Sequence, residues 1–321
     1  MTKVGILGTG AFGLALAKLS YENKNEVMAW TKFVDEKELI LTTRENSKVI
    51  PGVKIEENIL ITNDLSELLN FSDLIIVAIP VSFLENTLKE ISNFDLSNKH
   101  FCFASKGILE NDNSLIHQIF NKYLNSNNFS IISGPSFASE LVTKTPIGLS
   151  IYASNNDTYN IVYNSLCNNH FTLDRTNDLI GLELNGSIKN VIAIASGIIN
   201  GLDYSDSTKA LFLTRAINDT KEIIMSLGGM ESTAYTLSGI GDMLLTCSSE
   251  KSRNFQFGYK LAKNKEEALT YLENTTVEGY HSLKSLIGLL KRNNIENKLI
   301  SLIENIVLKD EPVTNIINYL I

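Results

Sequence analysis

The sequence predicts an α/β chain: a doubly wound, mainly parallel sheet in the N-terminal part, followed by an all-helical C-terminal domain. Three observations predict it. A glycine-rich turn separates a strand-like run from a helix-like one at the very start of the chain. Short β-rich runs then alternate with helical periodicity as far as about Thr176, the order that crossover connections in a parallel sheet require. From Asp178 to Ile321 the periodicity is helical almost throughout, with no low-complexity linker and no repeat. A chain of 321 residues with 44% hydrophobic content can bury two cores. The expected boundary separates residues 1–177 from residues 178–321.

The first strand is KVGIL (3–7), and LALAKLSYEN (14–23) is the first helix, its apolar positions recurring at helical spacing. Between them Gly8, Gly10 and Gly13 form G-x-G-x-x-G. In strand–turn–helix context this is the dinucleotide-binding turn of a Rossmann-type domain. Gly8 permits the tight turn, Gly10 lets backbone approach a pyrophosphate, and Gly13 lets helix and strand pack closely. The same stretch has the outline of a short secretory signal, with Lys3 followed by an apolar run and Ala15-Leu16-Ala17, but its glycine spacing and flanks favour the turn. Further strands are expected at EVMAW (26–30), NILIT (58–62), DLIIVAI (73–79), HFCFAS (100–105), FSIIS (129–133), IGLSIYA (147–153) and HFTLD (170–174). VSFLENTLKEIS and NSLIHQIFNKYL are among the helices between them.

Composition excludes several classes. A net charge of −8 argues against a nucleic-acid surface or a polybasic membrane contact, which need clustered Lys and Arg. No apolar run approaches the ~20 residues that span a bilayer. Cys102, Cys167 and Cys247 lie far apart without a CxxC pair, and four histidines do not complete a metal framework. They read as buried small hydrophobes of a reducing cytoplasm, and no metal is expected.

In open parallel sheets ligands bind beyond the carboxyl ends of strands, so the residues that follow each strand are candidates. DLIIVAI is followed by Pro80-Val81-Ser82, HFCFAS by Lys106-Gly107, and FSIIS by Gly134-Pro135-Ser136-Phe137-Ala138. Lys106 reads either as a solvated loop lysine or as a group at the nicotinamide end of a dinucleotide. SGPSF reads either as a strand-to-helix turn capped by Ser136 or as a substrate contact. In LELNGSIKNVIAIASGII, Lys189 interrupts a helix that is apolar on several faces. Burial there would depress its pKa unless an anion compensates, and a lysine tuned in this way can exchange a proton with a substrate oxygen. The alternatives are a lysine that snorkels to the surface or one paired to Glu183. Asp242 opens an apolar segment in SGIGDMLLTC, as counter-ion or as helix cap. Arg253 in SRNFQFG is a phosphate ligand or a surface arginine.

Seven motifs, in order and spread over nearly the whole chain, carry a family resemblance: GTGAFG, SKG (105–107), SGPSFA, GSIKNVIAI, GIGDMLLTC, SRNFQFG and VEGY (277–280). The chain resembles the NAD(P)-dependent glycerol-3-phosphate dehydrogenases of bacterial type. The resemblance implies reversible reduction of dihydroxyacetone phosphate to sn-glycerol 3-phosphate, the backbone of phospholipids, by a homodimer using NADP(H) or NAD(H). It implies that Lys189 is the catalytic lysine, that Asp242 is the carboxylate beside it, and that Lys106 contacts both cofactor and substrate. Gly134, Ser136, Ser252 and Asn254 match substrate-binding positions, and Arg253 a residue shared with the cofactor. Ala138, Thr276 and Glu278 match cofactor contacts. Ala11 and Phe12 stand where Ser-Tyr or a Trp is usual, so backbone contacts to the cofactor survive there while a hydroxyl contact at position 11 does not.

Two rival functions share parts of this pattern. A β-hydroxyacid or ketopantoate-type reductase has the same plan and a catalytic lysine, but the hydroxyacid group typically has Asn four residues after it, where this chain has Ala193. A non-catalytic dinucleotide sensor would have no need of Lys189, Asp242 and Arg253 together. Cofactor choice turns on the end of EVMAW. An NAD-specific fold places Asp or Glu ~20 residues beyond the glycines to bond the ribose 2′-OH. Here Thr31 and Lys32 follow the strand, and Asp35 and Glu36 fall in the next helix, favouring its N-terminus. Lys32 is the candidate partner of a 2′-phosphate, and NADPH is expected to serve at least as well as NADH.

Overall fold

A computed structural model describes residues 1–124 and 126–321. The chain forms two compact units. One comprises Met1–Ser105, His117–Ile132 and Ser136–Asn177, the other Lys106–Ile116, Ser133–Pro135 and Asp178–Ile321.

In the first unit the elements run β1 (Lys3–Leu7), α1 (Ala11–Glu22), β2 (Glu26–Trp30), α2 (Val34–Thr43), β3 (Leu60–Thr62), α3 (Leu65–Phe71), β4 (Leu74–Val77), α4 (Val81–Ile91), β5 (His100–Phe103), α5 (Ile116–Tyr123), β6 (Phe129–Ser133), α6 (Ala138–Leu141), β7 (Ile147–Ala153), α7 (Asn156–Leu166) and β8 (Phe171–Arg175). The eight strands form one sheet in the order β3-β2-β1-β4-β5-β6-β7-β8. The ladders from β3 through β6 and between β7 and β8 are parallel. Strand order reverses between β1 and β4, which makes that junction the switch point where such sheets bind ligands.

All eight expected strands are present, and several are shorter than the β-rich runs that announce them. Ala78 and Ala104 each donate one more backbone bond, to Leu7 and Val77, and the chain then peels away from the sheet. Pro80, which has no N–H to give to a ladder, caps α4. Residues 78–80 and 104–105 are thus the carboxyl-end turns rather than strand.

The glycine turn is dictated by close approach. Gly8 has φ +116°, and a Cβ there would lie 2.7 Å from the Ala78 carbonyl oxygen just beyond β4. A Cβ on Gly13 would lie 2.1 Å from the Gly8 carbonyl. Neither position accepts a side chain without moving backbone. Gly10 differs, because a Cβ there would meet nothing within 4 Å among the described residues.

The second unit is built on α8 (Leu179–Gly201), followed by α9 (Asp206–Ser226), α10 (Asp242–Ser248), α11 (Arg253–Lys263), α12 (Lys265–Asn274), α13 (Glu278–Arg292) and α14 (Lys298–Leu308). Of the 23 residues of α8, 20 are buried, so this helix is hydrophobic on all sides because other elements surround it. Val191, Ile194 and Ile198 of α8 share a core with Phe257, Leu283, Leu286 and Ile303. Helix α11 packs on α8 so closely that a Cβ on Gly258 would lie 1.9 Å from the Ile194 carbonyl. Among the described residues no helix is long and apolar enough to cross a membrane.

Candidate active site

The first candidate region is the turn between β1 and α1. Helix α1 begins with no acidic residue in its first turn and no side chain capping it at Gly10. Its N-terminal N–H groups and dipole are therefore available to an anion. With the open space at Gly10, these features fit the pyrophosphate of a dinucleotide. Ala11 and Phe12 are half-buried in the first turn of α1. Lys32, directly after β2, is exposed and forms no ion pair among the described residues. Asp35 and Glu36 lie in the first turn of α2. Ala138 opens α6, and the Ser136 hydroxyl is buried without a partner.

The second region lies inside the second unit and joins residues distant in sequence. Asp242, 1% exposed, is the first residue of α10 and follows a turn kinked at Gly239. One of its carboxylate oxygens accepts from Lys189 Nζ and the other accepts from Lys106 Nζ at 3.1 Å. Lys189 is 7% exposed and also donates to Thr246 Oγ1 at 3.2 Å. Neither alternative reading of this lysine survives: it does not reach the surface, and its carboxylate partner is Asp242 rather than Glu183. Lys106 is likewise no solvated loop lysine, with a side chain only 17% exposed.

The electrostatics follow from two ammonium groups sharing one carboxylate in a dry setting. Burial pushes Lys189 down to about 8, against the attraction of Asp242 and with the repulsion of Lys106. For Lys106 burial also opposes the charge, but the pull of Asp242 outweighs it and holds this lysine above its ordinary range. Lys189 is thus the group poised to give up a proton. Lys189, Lys106 and Asp242 together carry one positive charge, and the Glu278 carboxylate at the start of α13 also acts on Lys106.

A neighbouring polar set shares the same helix. Asn190, 4% exposed, accepts from Asn254 Nδ2 at 2.9 Å and donates to Glu278 Oε2 at 3.3 Å. Asn254 Oδ1 accepts from the Gly279 N–H at 2.8 Å, at the start of α13. The close packing of α11 on α8 at Gly258 brings Asn254 to Asn190. Ser252 caps α11 through the Phe255 N–H at 3.3 Å. Arg253 is exposed at the N-terminus of α11 and is unpaired among the described residues, while Thr276 is exposed just before α13. Gly134 lies in the tight turn after β6, with φ +156°.

Two buried residues of this region escaped the sequence reading. Thr246 stands one helical turn after Asp242, and that i, i+4 spacing signals the contact. Asn190 interrupts the same apolar run as Lys189, but no local spacing rule points to its partners.

The chain has clear relatives. Residues 3–159 match the sequence profile described as NAD-dependent glycerol-3-phosphate dehydrogenase N-terminus, and residues 178–318 match that of the C-terminus. A glycerol-3-phosphate dehydrogenase of Staphylococcus epidermidis, designated NAD(P)+, is 32% identical over 319 residues, covering 98% of this chain and 96% of the relative. The crystal structure of a Coxiella burnetii glycerol-3-phosphate dehydrogenase superposes with TM-score 0.93 at 26% identity, covering 99% of this chain and 98% of that one. A Plasmodium falciparum glycerol-3-phosphate dehydrogenase shares the fold, with TM-score 0.88 at 23% identity over 99% of this chain and 94% of that one.

Proposed function

This chain belongs to the NAD-dependent glycerol-3-phosphate dehydrogenase family, and we propose that Lys189, with Asp242 and Lys106, carries its reaction. The enzyme is an NAD(P)-dependent oxidoreductase that interconverts dihydroxyacetone phosphate and sn-glycerol 3-phosphate. The physiological role that goes with this is supply of the glycerophospholipid backbone by a cytoplasmic homodimer. Residues 1–177 hold the dinucleotide and residues 178–321 bind the substrate, with Lys106 and Gly134 lending contacts.

When bound, the reduced nicotinamide supplies the hydride. Negative charge would grow on the substrate's ketone oxygen during that reduction. Lys189 stabilises the charge and then gives the oxygen its proton, completing the secondary alcohol. Asp242 keeps Lys189 charged enough to do so despite burial. Thr246 holds the amine in line, and Lys106 adds a second cation at the site. Asn254 and Arg253 take the substrate phosphate, with Ser252, Gly134 and Ser136 as further substrate contacts. The turn Gly8–Gly13 and Ala138 would hold the cofactor from the first unit, and Thr276 and Glu278 are assigned as cofactor contacts of the second.

The observation that carries this reading is the Lys189–Asp242–Lys106 cluster, in which one buried carboxylate is shared by two lysines. Purified protein mixed with dihydroxyacetone phosphate and NADPH or NADH should consume the reduced cofactor; failure with both would reject the activity. A pH profile tests the donor. Ketone reduction needs Lys189 protonated, so its kcat/KM should fall as pH rises through about 8. Alcohol oxidation needs Lys189 neutral and should rise over the same interval. A reduction rate indifferent to alkaline pH would remove Lys189 from the donor role.

Lys32 gives a third check, on cofactor choice. As a point charge beyond β2 it can pair with a 2′-phosphate, though without the bidentate grip of arginine. NADPH should be used at least as well as NADH, and Lys32→Glu should lower the specificity constant for NADPH by about tenfold, the order expected when one charged contact is reversed. An unchanged NADPH constant in the variant, or strong NADH preference in the wild type, would show that Lys32 does not read the phosphate.

A further inference from the structure

Glu36 is the acidic side chain tied to the end of β2, where an NAD-specific fold would use a carboxylate to grip the ribose. Its surroundings assign it other work. One carboxylate oxygen accepts from the Thr31 hydroxyl, and the other accepts from Asn46 Nδ2 at 2.6 Å. The same Asn46 amide donates to the carbonyl oxygen of Thr9 at 3.2 Å, the residue between Gly8 and Gly10. The Thr31 hydroxyl in turn accepts from the Phe33 N–H at 3.3 Å. Thr9, Thr31 and Asn46 are 3%, 3% and 1% exposed, so the Asn46–Thr9 bond is buried, while Glu36 and its bonds to Thr31 and Asn46 are half-buried.

The connection is continuous: the dinucleotide turn is tied by Asn46 to Glu36, and Glu36 is tied by Thr31 to the end of β2. Asn46 spends both amide hydrogens in it, one on Glu36 and one on the turn. The carboxylate charge is placed in the first turn of α2, where the helix dipole favours it. We propose that Glu36 is a positioning residue that braces the dinucleotide turn through Asn46 and leaves the ribose 2′ position to be read by Lys32. The proposal rests on the cofactor reading above and deepens it: the acid that would enforce NAD is committed to shaping the pyrophosphate site, which both cofactors share.

The brace and a ribose-reading role differ in what they do to selectivity. Gln at position 36 can keep the brace, because its carbonyl accepts from Asn46 and its amide donates to the Thr31 hydroxyl, which can rotate. Ala cannot. Trp30 is the only tryptophan of the chain and ends β2 beside Thr31, so its emission can report binding without turnover. Dissociation constants for NADPH and NADH should be measured in this way on wild type, Glu36→Gln, Glu36→Ala and Asn46→Ala.

The brace predicts that Glu36→Gln stays within about twofold of wild type for both cofactors. Glu36→Ala and Asn46→Ala should each weaken both by about tenfold, the order of one or two buried hydrogen bonds, with the ratio between cofactors unchanged. The double variant should be no weaker than either single one, because both cut the same link. If Glu36→Ala does not fold, Asn46→Ala and Thr31→Val carry the same test. A tenfold swing toward NADPH in Glu36→Gln would make Glu36 the ribose reader and overturn the proposal, as would normal affinities in the Ala variants. Failure of the wild type to bind either cofactor would instead overturn the cofactor reading itself.

Discussion

Lys189→Ala should lower kcat for dihydroxyacetone phosphate reduction by roughly a thousandfold or more, since it removes both a general acid and an oxyanion partner. The variant should fold. Asp242 keeps Lys106 as a partner at 3.1 Å, so truncation leaves a neutral buried pair rather than a stranded charge, and Lys189→Met would in addition fill the volume. Cofactor affinity, read from Trp30 emission, should stay near the wild-type value, because Lys189 is not among the residues assigned to the cofactor. Asp242→Asn is the instructive contrast. It would strip the shared counter-ion from the buried Lys189 and the half-buried Lys106 and cost about 3–5 kcal/mol of stability, the range for one partner lost from a buried ion pair. A Lys189→Ala enzyme with near-normal turnover would reject the assigned role.

The difference between those two variants marks where sequence reasoning stops. An apolar helix interrupted by a lysine is visible in residues 186–200, and burial of the helix follows from the pattern, but whether the lysine itself stays inside does not. Nor does the identity of the counter-ion. Asp242 lies 53 residues further on, across α9 and the kinked turn at Gly239, and helical periodicity says which face is apolar without saying which distant element covers it. From the sequence alone Glu183, on the same helix, is as good a candidate as Asp242.

The sheet was legible almost strand for strand because period and composition are local. Only the carboxyl ends were overextended, where apolar residues such as Ala78 and Ala104 leave the ladder after one further hydrogen bond. The turn glycines were legible for the same reason. The Asn46 link was not, since Asn46 lies beyond α2 in an irregular segment where no spacing rule operates. The polar set around Asn190 depends on helix crossings that place α11 and α13 beside α8, and these too are tertiary facts.

Arg253→Ala should raise the Michaelis constant for dihydroxyacetone phosphate by roughly tenfold to a hundredfold, the range of a charge-assisted hydrogen bond to a phosphate. The argument begins with net charge: at −8 the chain repels a dianion on average, so affinity has to come from cations gathered locally. Arg253 is placed against its own helix, with a positive side chain at the positive end of the α11 dipole, which is unfavourable in the absence of an anion. No carboxylate among the described residues offsets it. A bound phosphate would satisfy the guanidinium and the helix terminus together. Asn254, fixed by Asn190 and the Gly279 N–H, keeps one amide hydrogen free to join them. Unphosphorylated dihydroxyacetone should be a poor substrate for wild type and variant alike, because it lacks the phosphate that Arg253 is proposed to hold. Arg253→Lys should recover part of the loss through charge without restoring the planar, two-point contact. Wild-type enzyme that used the phosphorylated and unphosphorylated ketones with equal efficiency would show that Arg253 does not hold the phosphate.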